Sequence, residues 1–297
     1  MSDTLEKFTT AHCPRGFRVR VTLSARQIIN RRRPLLLGAL ILMGLLSFRG
    51  TLHAQDSFEI EVYGSETLPR GETGIELQSN FNVEAQEDTT EPRIYTSQHA
   101  LNETLEISHG FTDWLQCSFY VLNSIHTSFG WQWAGDRLRP QVRVPEAWHW
   151  PVGLSLSAEL GYQRPRFSAD TWTLELLPIV DKKIGRWYFA FNPTFDRSLH
   201  GPGTSKGVEF SPNVKASYQI FRQATAGLEY YSSYGSIGAL DPLARQQHQI
   251  VPSLELDLPH KWEVNIGYGV GLTPGTNEQV LKVIVGRRFG GKDRDKD

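Results

Sequence analysis
The chain has two cysteines in 297 residues, Cys13 and Cys117. Cys13 falls in a leader expected to be removed, so no internal disulfide is available to the mature chain, and a disulfide-stapled scaffold is excluded. Cys117 reads as a small buried or lipid-facing residue. The residue directly after Ala54 is Gln55 and not cysteine, which excludes a lipoprotein anchor. Apart from residues 34–48 no long apolar run exists, so a bundle of membrane helices is excluded. His99, His109, His149, His200, His248 and His260 are scattered over predicted loops and turns, and none shows metal-ligand spacing. The glycines at 201–203 and 235–238 precede no helical pattern, so they are no phosphate cradle. Neither a cofactor nor a metal is expected. Methionine is almost absent as well, with two residues.

Aromatics, by contrast, make up 11% of the chain and include eight tryptophans. Charge is divided unevenly. Before Gln55 stand nine Lys and Arg against Asp3 and Glu6; of the chain totals of 31 basic and 32 acidic residues, 22 and 30 remain, a net of −8. An acidic mature chain argues against a nucleic-acid partner.

Arg31, Arg32 and Arg33 precede the apolar run, and Leu52-His53-Ala54 precedes Gln55. A basic cluster, an apolar stretch of this length and a small residue at the cleavage position predict a secretory signal. Residues 1–54 are therefore expected to be a basic leader and signal peptide. Residues 55–72 are short, acidic and end in Pro69-Arg70-Gly71. They are expected to form a periplasmic arm; a small plug and an additional strand are the open alternatives.

From Gly74 onward apolar and polar residues alternate. Twelve such stretches occur, at 75–83, 101–107, 115–121, 138–144, 152–163, 172–180, 187–196, 208–218, 224–230, 250–258, 262–270 and 279–289. Period-two alternation marks strands with one apolar and one polar face, each long enough to cross a bilayer when tilted. The connections alternate long and short, with long ones at 84–98, 123–136 and 232–247 and brief ones at 181–186 and 221–223. This predicts an all-β fold: an up-and-down antiparallel transmembrane barrel over 73–289, with a charged tail at 290–297 and both termini in the periplasm.

Trp114, Trp148, Trp150, Trp187 and Trp262 fall at the short-turn ends, and Trp131, Trp133 and Trp172 at the long-loop ends. Two aromatic belts are what two membrane interfaces require. The alternate residues are then expected to line a lumen: Glu76, Glu106, Arg139, Arg143, Glu159, Glu175, Asp196, Glu209, Lys215, Glu229, Glu255, Glu263, Lys282 and Arg288. Mixed charges facing a bore predict a passive channel for small solutes. The alternative is a non-conducting structural or adhesive barrel that works through its external loops. A lipid hydrolase would need a nucleophile with a base in reach, and His126-Thr127-Ser128 supplies no more than a fragment of one.

The last stretch, QVLKVIVGRRF at 279–289, resembles the C-terminal recognition strand of bacterial outer-membrane barrels, in which a terminal phenylalanine follows alternating apolar residues. Phe289 then implies delivery to the barrel-assembly machinery, with outer-membrane lipid as the other partner. Arg287 departs from that pattern by occupying an apolar position. The stretches LNETLEISHG at 101–110 and FNPTFD at 191–196 make the chain similar to transporter-like barrels of the putative phenol meta-pathway type. That resemblance implies a transport or envelope role in a Gram-negative outer membrane, with no defined substrate.

Overall fold
The computed structural model describes residues 57–85 and 94–290. The expected signal peptide and the charged residues after Gly290 lie outside the described residues. Twelve long strands form the wall: β1 (Glu72–Glu84), β2 (Leu101–Thr112), β3 (Leu115–His126), β4 (Gly130–Arg143), β5 (Gly153–Gln163), β6 (Trp172–Ile184), β7 (Trp187–His200), β8 (Val208–Phe221), β9 (Ala224–Ser233), β12 (Gln247–Leu258), β13 (Trp262–Gly271) and β14 (Gln279–Gly290). Two-residue strands β10 (Gly235–Ser236) and β11 (Ala239–Leu240) make a small hairpin in the loop after β9. Each wall strand pairs antiparallel with its neighbours in sequence, β9 passing directly to β12. The first and last strands close the cylinder in the register Leu77↔Val285 and Phe81↔Leu281. Closure leaves no sheet edge, so the backbone groups of every wall strand have a neighbour on both sides.

The wall is inside out by the standard of a soluble protein. Ile75, Leu77, Phe119, Leu138, Leu156, Leu160, Leu176, Phe191, Ile266 and Leu281 are exposed, whereas Gln78, Asn80, Thr104, Arg139, Glu159, Glu229 and Lys282 are buried. A continuous apolar outer band is stable only against hydrocarbon. It excludes two stacked sheets packing their apolar faces together. Seven of the eight tryptophans are exposed at the two rims. The eighth, Trp133, packs against Tyr162 and donates its indole N–H to Asp136 Oδ1 at 3.0 Å.

One expected long connection is absent. Residues 123–136 do not loop out. β3 runs on to His126, β4 starts at Gly130, and the turn between them is Thr127–Phe129. Its tightness rests on Gly130, with φ +67°. The ladder slips from Leu122↔Gly135 to Asn123↔Trp133. That bulge reverses the inside-outside parity partway along β4, and the period-two pattern is lost from the sequence.

The prolines on the outward face coincide with missing rungs. The β4–β5 ladder is interrupted at Pro140, β6–β7 at Pro178 and Pro193, and β12–β13 at Pro252. Proline has no N–H to donate, so two or three residues go unpaired before the ladder resumes.

Candidate functional site
Residues 57–70 are not a periplasmic arm. They run through the lumen in extended form. At the long-loop end Asn277 Nδ2 donates to Ser57 Oγ at 3.3 Å. At the short-turn end Leu68 N–H donates to Gln116 Oε1 at 2.8 Å and Arg70 N–H to Asp113 Oδ1 at 3.1 Å. Gly71, with φ +79°, then turns the chain into β1. Glu72 and Gly290 share the short-turn end, while Ser57 reaches the opposite one.

This plug pairs with no strand, so its backbone groups are met by side chains of the wall. Asn192 accepts from Tyr63 N–H at 2.7 Å and donates to Tyr63 C=O at 3.0 Å. Asn80 and Thr104 both donate to Phe58 C=O, at 3.2 and 2.8 Å. Ser65 donates its N–H and its hydroxyl to the two carboxylate oxygens of Asp181. The inward asparagines, glutamines and threonines thus stand in for a sheet partner.

Apolar contacts fix the height of the plug. Ile60 and Val62 pack with Ala190, Tyr231, Val251 and Val280. Phe58 packs with Tyr120, Leu122 and Ala134, edge-on to Phe167 at 6.2 Å. Each such side chain contributes about 1.5–3 kcal/mol when fully buried. The segment is therefore anchored by a small core inside an otherwise polar bore.

Two ion-pair networks flank it. Glu59 of the plug meets Arg137 at 2.9 Å and Arg139 at 2.5 Å, and Glu159 meets the same two arginines at 3.5 and 2.5 Å. The Arg139 guanidinium also lies 4.8 Å from the ring centre of Tyr63 and 4.9 Å from that of Tyr120. On the far wall Lys282 binds Glu229 at 2.6 Å, and Lys215 bridges Glu229 at 3.8 Å and Glu255.

The plug leaves space on both sides of its middle. A cavity of about 950 Å³ opens from the short-turn end, and one of about 250 Å³ lies between the plug, β4 and the strands β6–β9. Glu61, Tyr63, Arg139 and Leu177 line both cavities and stand between them. Of the expected lumen residues, Glu76, Glu106, Arg143, Lys215, Glu255, Glu263 and Arg288 line the larger cavity. Glu175, Asp196 and Glu209 line the smaller one, and Arg139 lines both. Glu159, Glu229 and Lys282 are buried within the ion-pair networks. Sequence reasoning missed Glu59, Glu61 and Tyr63 of the plug, and Gln78, Asp181 and Asn192 of the wall. A signal for them existed: Leu122, Leu177, Ile179, Val251, Val280 and Ile284 are apolar residues at inward positions, and all are buried.

Two further positions bear on function. His126 Nδ1 and Ser128 Oγ are 2.6 Å apart in the β3–β4 turn, with the imidazole stacked on Phe129 at 5.0 Å. Among the described residues no acidic side chain bonds that ring, so a base lacks its orienting acid. Arg287 faces outward, 5.2 Å from the ring centre of Trp262 and 4.8 Å from that of Phe289. Ring faces at the rim explain how an arginine occupies an apolar position.

No protein-family model matches the chain, and no curated protein matches it in sequence. Solved structures do match in fold. An outer-membrane channel from Pseudomonas putida F1 superposes with a TM-score of 0.54 at 14% identity, covering 78% of this chain and 100% of that one. The KdgM porin gives 0.47 at 13% identity, over 73% of this chain and 99% of that one. The NanC porin gives 0.49 at 10% identity, over 71% and 97%. The protein has the fold of a bacterial outer-membrane β-barrel.

Proposed function
We propose that this protein is a passive outer-membrane channel for small hydrophilic solutes, with a bore narrowed by its own residues 57–70. The observation that carries this reading is that two cavities inside the barrel, one on each side of the plug, are separated by only the side chains of Glu61, Tyr63, Arg139 and Leu177. A barrel that served only as a scaffold for its loops would gain nothing from charged space inside it. The smaller cavity is lined by Glu59, Glu61, Glu175, Asp196 and Glu209 against Arg137 and Arg139, an excess of acid that favours cations over anions. The finer likeness to transporter-like barrels of the putative phenol meta-pathway type rests on residues 101–110 and 191–196, and it supports transport rather than catalysis. Phe289 at the end of β14, exposed on the outer face, is our candidate for recognition by the assembly machinery.

Purified protein in planar lipid bilayers tests the reading. Small ohmic currents are expected from the full chain, and severalfold larger ones from a variant lacking residues 57–68. Silence from both at every voltage would sink the channel hypothesis and leave the loop-working barrel.

A further inference from the structure
The outer face carries a cation just inside its apolar band, beside the seam where β14 closes on β1. Val264, Val285, Leu77 and Leu105 are successive cross-strand partners, and all four are apolar. The next outward row, about 7 Å nearer the short turns, is Trp262, Arg287, Ile75 and Ile107. The row after that holds Phe289, Thr73 and His109, with Thr73 Oγ1 2.9 Å from His109 Nδ1. There the outer face turns polar. Arg287 thus sits one row inside the polar edge, at the depth where hydrocarbon gives way to headgroups.

No protein anion answers this charge. The neighbouring Arg288 turns inward and pairs with Glu263, whereas among the described residues Arg287 makes no ion pair. Its Nε is buried and has no hydrogen-bond partner. Trp262 and Phe289 offer ring faces at 5.2 and 4.8 Å, which attract a cation but accept hydrogen bonds only weakly. A guanidinium has five donors in a planar fork, and a charge drawn out of water is costly until it is paired. Trp262, Ile75, Ile107 and Phe289 are all exposed, so no protein covers the place and lipid fills it. Short turns lie on the periplasmic side, which makes that lipid a phospholipid of the inner leaflet.

We propose that Arg287, framed by Trp262 and Phe289, binds the phosphate diester of one inner-leaflet phospholipid at the closing seam of the barrel. The site does not depend on whether the bore conducts. A phosphate presents two oxygens that match the guanidinium fork, and it supplies the missing negative charge. Acyl chains running from that phosphate toward mid-wall meet Val264, Val285, Ile75 and Leu77, the apolar side chains of the same rows. On the other side of β14, Thr73 is the diagonal neighbour of Arg287, about 7–8 Å away, so the Thr73 and His109 pair borders the headgroup. One lipid so placed touches β13, β14 and β1 and lies across the last pairing the barrel forms. Basic side chains beside apolar surface at a membrane edge are a known way of reading headgroups.

Native mass spectrometry of the full-length protein, released from detergent micelles, tests this. The probes are phosphatidylglycerol, phosphatidylethanolamine and a diacylglycerol with the same chains and no phosphate. The wild type is expected to retain one molecule of either phospholipid and not the diacylglycerol. Arg287→Leu is expected to raise the phospholipid concentration for half occupancy by about tenfold. Arg222→Leu removes an exposed cation from the β8–β9 turn and should retain lipid as the wild type does. Arg287→Gln keeps the position polar and carries the same expectation should Arg287→Leu fail to fold. Retention of phospholipid by Arg287→Leu or Arg287→Gln at wild-type concentrations overturns the site. Equal retention of diacylglycerol and phospholipid by the wild type also overturns it, since the phosphate would then count for nothing.

Discussion
Ser65 offers both of its hydrogen-bond donors to one carboxylate: its N–H reaches Asp181 Oδ2 at 2.8 Å and its hydroxyl reaches Oδ1 at 2.9 Å. Tyr188 holds the same carboxylate from the wall at 2.9 Å. Hydrogen bonds to a charged group contribute about 1.5–3 kcal/mol each. Asp181→Ala is therefore expected to weaken seating of the plug by roughly 3 kcal/mol, a factor on the order of 10² in the unseated population. Single-channel records should show more frequent excursions to a larger conductance. Val180→Ala, one residue away on the outward face, should leave the records unchanged.

The apolar band makes a second prediction. Leu176 is 44% exposed near mid-wall, paired with Ala158 and Phe195. Leu176→Arg would place a cation in hydrocarbon and is expected to destabilise the barrel by about 2–4 kcal/mol. Leu177→Arg points the same charge inward, where it meets Glu175 and water but displaces the plug. The first variant should lower the urea midpoint for unfolding from lipid micelles. The second should spare that midpoint far more and alter conductance instead.

Alternation along single strands made the barrel legible, because a lipid-facing wall imposes period two on every crossing. Val152 to Gln163 shows it without a break. The legibility ends where parity shifts. At Ala134 and Gly135 the bulge in β4 exchanges the two faces, and residues 123–136 read as a loop. The plug was harder still to read. Residues 57–70 carry no repeat of their own, since their partners are scattered over β1, β3, β6 and β7. Only the apolar intruders on the polar face, such as Leu177, Val251 and Val280, betrayed that something non-aqueous lies inside. The lumen charges could be named from parity, but which of them pair could not. Pairing depends on neighbours brought together by closure, as with Lys282 and Glu229, 53 positions apart.

Arg287 yields a third prediction. Its guanidinium lies against Trp262 and Phe289, a contact worth about 0.5–2 kcal/mol at a partly wet rim. Arg287→Leu gives up that contact but gains apolar surface against lipid, so its urea midpoint should stay close to the wild type. Arg287→Glu puts an anion against two ring faces and should lose about 1–3 kcal/mol. Equal losses in the two variants would mean that the rings do not hold the charge.

The lower end of the plug rests on backbone as well as on the side chains of Gln116 and Asp113. Gly71 N–H donates to Gly110 C=O at 2.8 Å. A Cβ built on Gly110 would stand 2.3 Å from Leu68 C=O oxygen and 2.4 Å from that of Pro69. Neither carbonyl can move without shifting the chain as it enters β1. Gly74, by comparison, would bring its Cβ only to 3.4 Å from the tip of the Leu68 side chain, which can rotate away. Gly110→Ala is therefore expected to displace residues 67–70 while the wall stays closed, since β2 keeps its ladders to β1 and β3. The barrel should still resist unfolding in cold detergent and show altered conductance. Gly74→Ala should match the wild type in both. Were Gly110→Ala to conduct as the wild type does, the seat of the plug at this end would have to be looser than the backbone contact implies.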